Sequence, residues 1–305
     1  PDTAGAVADL GIRSSDRYVD ARDPLRARAR SGPHEAAVRL GVDPGTFFCG
    51  ALLAELIHLR RQPERAGLRV GFLHVPPDHA SGALARVKAA LHDRATNLEM
   101  IASVVAIALR GLTPPAGGAI LVTAFGSFRG VADNPTDAFV RDPPSLDRAV
   151  ALAHPGAALE ATQELAHGLR ARSYALAAPR RLRLFTATLP LAASDDDALA
   201  GRYWPSEQVA DDLHALVDAV GAPLDAILSL GVDSSQSTGP LPPTFKVETQ
   251  TRGWHQGGRP GRHATSHFER DLELARIFLA ARARREAPLD YDDDPPPGAE
   301  GPTHR

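Results

Sequence analysis

Leu68-Arg69-Val70-Gly71-Phe72-Leu73-His74-Val75-Pro76 is the stretch on which the fold reading turns. It is short and almost uninterruptedly apolar, and proline, which has no N–H to donate to a ladder, closes it. That pattern reads as a strand buried on both faces of a sheet. Ala119–Thr123, Leu182–Leu189 and Ala226–Val232 read the same way, each rich in branched or aromatic residues and bounded by turn formers. Helical spacing fills the intervals. Phe48–Arg61 lines up Leu52, Leu56 and Leu59, and Leu98–Arg110 lines up Leu98, Ile101, Val105 and Ala108. Thr96-Asn97-Leu98-Glu99 has the form of a capping box, and Gly111 reads as a stop. Val209–Val220 is followed by Pro223. Strands alternating with helices predict an α/β layered fold.

The chain has 305 residues, 43% apolar and 23% charged, with a net charge of −3, which is enough for a substantial core in one large or two small domains. The near-neutral balance argues against holding nucleic acid by bulk charge. The longest apolar run, Met100–Leu109 with Ser103 inside it, is too short to span a bilayer, and no N-terminal hydrophobic segment suggests a secretory signal. A single cysteine excludes an internal disulfide framework. These features predict a cytoplasmic globular protein without membrane or nucleic-acid partners. Thr113–Gly118 reads as a flexible joint, residues 268–287 as a charged helix with a thin apolar side, and 290–305 as a disordered acidic and proline-rich tail.

Cys49 lies in Gly45-Thr46-Phe47-Phe48-Cys49-Gly50-Ala51, where a turn gives way to a helix. Unpaired N–H groups and the helix dipole at that position favour a thiolate, the form a cysteine nucleophile needs. A lone cysteine is more often a small buried hydrophobe, so a base must accompany it. His74, at the C-terminal end of a strand where α/β sheets build their sites, is the candidate. His263 and His267, four apart, would align as metal ligands on a helix, with His255 nearby, but no zinc-type pattern supports this and no metal or other cofactor is expected.

These words resemble those of the pyroglutamyl peptidase (pyrrolidone carboxyl peptidase) family. Gly45–Leu59 is similar to its nucleophile segment, and Gly71-Phe72-Leu73-His74-Val75-Pro76 to its histidine segment, 25 residues beyond the cysteine. Ile120–Gly130, followed by Asn134-Pro135-Thr136, resembles its first strand and phenylalanine-bearing loop. Ala226–Gly231 and Phe245-Lys246-Val247-Glu248 resemble the strand and the acidic residue that complete its triad. The family places the phenylalanine loop first, then glutamate, cysteine and histidine. Here cysteine and histidine come first, so the order reads as a circular permutation, or as the back half of one copy fused to the front half of the next.

The resemblance implies a three-layer αβα sandwich around a mixed sheet, spanning residues 1–270 as one permuted domain: a Cys/His half (1–112), a linker (113–118) and a Phe-loop/Glu half (119–270), with 271–305 outside it. It implies a cysteine exopeptidase that removes N-terminal pyroglutamate from small peptides through a Cys49, His74 and Glu248 triad. Phe47, Phe125, Phe128 and Asn134 would bind the lactam ring. It also implies a homo-oligomeric habit. Ala124 and Arg129 stand for two family glycines, Ser127 for its proline and Thr249 for its arginine. With those changes, an inactive binding or assembly module is the alternative.

Overall fold

The decisive stretch forms strand β3 (Arg69–Val75), and its alternation organises the molecule. Leu73 and Val75 enter one apolar cluster, while Val70 and Phe72 enter another on the opposite face. The computed structural model describes residues 27–31, 34–41, 48–81, 93–128, 131–191, 205–232, 244–253, 255–256, 259–284 and 289–290.

In chain order the strands are β1 (Ala27–Ser31), β2 (His34–Gly41), β3, β4 (Gly117–Phe125), β5 (Ala158–Glu164), β6 (Arg170–Ala175), β7 (Arg181–Leu189), β8 (Ala226–Val232) and β9 (Thr244–Glu248). The two-residue strands β10 (Gln250–Thr251), β11 (His255–Gln256), β12 (Arg259–Pro260), β13 (Glu269–Arg270) and β14 (Leu289–Asp290) follow. The α-helices are α1 (Phe48–Arg61), α2 (Arg94–Leu112), α3 (Pro135–Arg141), α4 (Pro143–Ala153), α5 (Pro205–Val220) and α6 (Glu273–Ala283). Among the described residues, ten strands make one sheet in the order β14-β1-β2-β9-β3-β8-β4-β7-β6-β5. Its centre, β3-β8-β4-β7, is parallel. β9 runs parallel to β2 but antiparallel to β3, so the sheet is mixed.

Helices cover both faces. One cluster joins Leu73, Val122 and Leu228 to apolar residues of α2, α3, α4 and α6; the other joins Phe72, Leu121 and Ile227 to α1 and α5. The chain is therefore α/β with a large mixed central sheet between helical layers, as the alternating pattern implied. α6, set apart in the sequence by its arginines and glutamates, buries Leu274, Ala275 and Phe278 in the first cluster. α2 is long and apolar enough to cross a membrane by length and composition, but most of it is buried within the protein, against α4 and α6.

Three local expectations are corrected. α2 begins one turn before the capping box, because Asp93 is an earlier cap: its carboxylate accepts the Thr96 N–H at 2.9 Å. Gly111 does not stop the helix. It lies inside it, where a Cβ would come within 2.3 Å of Ile277 on α6, so glycine serves close packing there. The supposed joint is a tight turn, closed by Gly117 N–H to Pro114 O at 2.9 Å, and Gly117 and Gly118 already belong to β4. Gly117 has φ +89°, and a Cβ on it would lie 2.1 Å from the Arg181 carbonyl oxygen. The tail beyond residue 290 and Phe47 lie outside the described residues.

Candidate active site

Strand alternation brings the polar residues together. His74 follows Phe72 by two on β3, so it points to the same face, toward the layer containing α1. Glu248 ends β9, the antiparallel neighbour, where it pairs in register with Phe72. The Nδ1 of His74 and Oε1 of Glu248 are 2.7 Å apart, and both residues are buried. Cys49, in the first turn of α1, brings its sulfur near enough to the same imidazole to act on its titration. The first turn of α1 holds no acidic side chain to compete with a negative sulfur, and the Cys49 N–H is among the groups a helix start leaves unpaired. Cysteine, histidine and glutamate thus come from α1, β3 and β9 and converge in one row, the histidine and glutamate buried and the cysteine half-buried.

Two glycines make the room. A Cβ on Gly231 of β8 would lie 2.7 Å from Cζ of Phe72 and 3.1 Å from Sγ of Cys49. A Cβ on Gly41, which ends β2, would lie 2.2 Å from Oε2 of Glu248. The carboxylate therefore rests on bare backbone, and any side chain at position 41 evicts it. Oε2 of Glu248 has no hydrogen-bond partner among the described residues, so Oε1 and the histidine carry its polar contact. Thr249 fixes the end of β9 by donating its N–H and its hydroxyl to the Gly41 carbonyl, each at 2.9 Å. Two residues on, the Thr251 hydroxyl donates to the carbonyl of Gly50, next to the cysteine, at 3.1 Å.

The electrostatics follow from this packing. Burial by itself pulls the His74 pKa down, but the charge and hydrogen bond of Cys49, with the hydrogen bond and charge of Glu248, outweigh it and raise the pKa well above 6.5. The charged imidazole is therefore favoured in the place where it lies between the sulfur and the carboxylate.

Aromatic rings surround the row. Phe72 meets His74 edge-on at 5.0 Å, and Phe125 lies 6.5 Å from Phe72 and 6.4 Å from Phe48. Phe48, absent from the sequence-predicted set, thus stacks into the same group; its place beside Cys49 at a helix start was the available signal. Phe125 is fully buried, whereas Phe128 is half-buried in a loop that exchanges two backbone hydrogen bonds with Val131, at 3.0 and 2.8 Å. Asn134 is buried and already employed. Its Oδ1 accepts the Thr136 N–H and hydroxyl at 3.0 and 2.9 Å, capping α3, and its Nδ2 donates to the Gly126 carbonyl at 3.1 Å. Its observed part is to hold the phenylalanine loop. Lys246, also buried, lies on the His74 face of β9 and in register with His74.

The other histidines do not assemble as the four-residue spacing suggested. His263 and His267 lie in turns, with His263 at φ +53°, so no helix aligns them. His263 Nδ1 instead donates to Oε2 of buried Glu55 at 2.7 Å and its ring stacks on His58 at 3.6 Å, while His214 meets Oε1 of Glu55 at 2.8 Å. Among the described residues no group of three or more His, Cys, Asp or Glu side chains is arranged to hold a metal ion. No family model matches the chain, and none of the curated proteins or solved structures compared with it matches either.

Proposed function

We propose that the chain is a cysteine exopeptidase that removes N-terminal pyroglutamate from small peptides, working in a reducing, cytoplasmic compartment. The observation that carries the reading is the 2.7 Å contact of Glu248 with Nδ1 of His74, with the sulfur of Cys49 beside the same ring. Pyroglutamyl peptidase words in the sequence supply the substrate class, and the order of those words is read as a permutation of that family's chain.

In the proposed reaction the Cys49 sulfur attacks the carbonyl carbon of the pyroglutamyl–peptide bond. The negative charge that forms on oxygen meets the Cys49 N–H at the start of α1. His74 then gives its proton to the departing amine, the C–N bond breaks, and a thioester remains. Water attacks the thioester, His74 takes the water's proton, and pyroglutamate leaves as the sulfur returns. Glu248 holds the imidazole in one orientation and balances its charge throughout, as the acidic member does in other triads. The flat, uncharged lactam suits walls formed by Phe125 and Phe128.

The test is release of a fluorophore from a pyroglutamyl amide by the wild type and by Cys49→Ala. Release by the wild type alone supports the peptidase. Equal, background release from both rejects it and leaves the binding or assembly module.

A further inference from the structure

The loops that follow β3 and β4 carry the two halves of the proposed site, the imidazole side and the phenylalanine side. β8 lies between those strands, so the loops start about 10 Å apart with no ladder joining them. Arg94 spans the gap. Its guanidinium donates to Asp78, four residues beyond His74, through Nε to Oδ2 and through Nη2 to Oδ1, the latter at 3.1 Å. The other side of the fork donates to Asp133 in the phenylalanine loop, at 2.9 Å to Oδ1 and 3.0 Å to the carbonyl oxygen. Asp133 adjoins Asn134, which holds the Gly126 carbonyl.

Nothing in helix chemistry favours this arginine. It is the first residue of α2, where the dipole disfavours a cation. Asp78, fully buried, accepts from the N–H of Ala80 and the hydroxyl of Ser81, both at 3.0 Å, so its carboxylate is already held by its own turn. On the neighbouring turn Asn97 donates to the Pro76 carbonyl at 3.1 Å and adds a second tie to the same loop. A cation placed against its helix, forked to two loops that no strand connects, is a strut.

We infer that Arg94 is a positioning residue that fixes the phenylalanine loop relative to the Cys49–His74 pair and so sets how tightly the site holds its acyl group. The inference rests on the peptidase reading for the identity of that group, but the strut itself is testable without turnover. Removing Arg94 outright would strand the buried carboxylate of Asp78, so the informative variants are Asp133→Ala, whose carboxylate is exposed, and Arg94→Lys, which keeps the charge and loses the fork.

Three measurements on the full chain decide it: hydrogen exchange at the Phe128 and Val131 amides, alkylation of Cys49 by iodoacetamide, and kinetics on a pyroglutamyl amide. For Asp133→Ala the expected result is exchange about 10-fold faster at those two amides, with alkylation within about twofold of wild type. KM should rise about 5- to 10-fold with kcat nearly unchanged, and Arg94→Lys should fall between Asp133→Ala and wild type. Wild-type exchange in Asp133→Ala overturns the inference. A wild type that cleaves nothing refutes the peptidase instead, and the exchange result still stands for or against the strut.

Discussion

Two buried glutamates near α1 meet histidine rings, and the shortest contact of each shares a length and little else with the other. Glu248 meets His74 at 2.7 Å and Glu55 meets His263 at 2.7 Å, and both carboxylates are buried. His74 is buried too, turns to the chain's one thiol and is raised in pKa. Glu55 is shared between two half-buried imidazoles, and next to them burial and the neighbouring His263 lower the pKa of His58. The second group ties α1 to α5 and to the 261–264 turn, helped by Arg262 and Asp211 at 2.8 Å. A short carboxylate–imidazole contact is therefore not in itself a catalytic arrangement. What separates the two is a thiol beside the imidazole and the burial of that imidazole.

The sharpest break of that contrast is at the sulfur and the base. Cys49→Ala or His74→Ala should lower kcat/KM on a pyroglutamyl amide by about 1,000-fold or more, while His263→Ala should stay within about threefold. Comparable losses at both histidines would erase the distinction.

The acids come next. Glu248→Gln should cut kcat by about 10- to 100-fold, because the imidazolium loses its counter-charge. Glu55→Gln should leave kcat alone and cost about 1–3 kcal/mol in denaturant unfolding, the range for a disturbed buried polar contact.

Gly41 offers a steric version of the same question. Gly41→Ala drives a methyl group into the Glu248 carboxylate and should reduce kcat about 10-fold or more, by moving the acid rather than removing it. Unimpaired turnover in that variant would show that His74 works without Glu248.

The smallest effects are in pH dependence. A histidine whose pKa is raised on folding stabilises the native state below pH 6.5, and that gain is lost as pH climbs through its higher native value. The stability gap between wild type and His74→Gln should accordingly shrink with rising pH in melts. His58 has the opposite sign: its neutral form suits the fold, so stability holds above pH 6.5 and declines as pH falls through its lower native pKa. It faces His263, Glu55, His214 and Glu269, and His58→Gln should flatten the acid-side decline slightly.

Much of the central sheet was legible because buried parallel strands advertise themselves: Ala226–Val232 was read with the observed ends, and β3, β4 and β7 to within a few residues. The β5–β6 hairpin was not, since all seven residues of β5 are exposed and carry no apolar alternation. α3 and α4 are short helices whose Asn134-Pro135 and Asp142-Pro143 starts are cap-and-proline signals the periodicity did not pick up. Cys49, His74 and Glu248 could be named from local words, yet their meeting depends on β9 running against β3, which no local word encodes. Gly41 and Arg94 were invisible for the same reason, because their meaning lies in partners about 200 and 40 positions away.

The bare backbone beneath Glu248 has one further consequence. Volume there is complementary: an added methyl at 41 and a methylene subtracted at 248 compensate for each other. A Gly41→Ala/Glu248→Asp double replacement should recover ground that either single change loses. The acid's reach and the floor it stands on are thus one inherited dimension, and sequences that shorten the one are free to fill in the other.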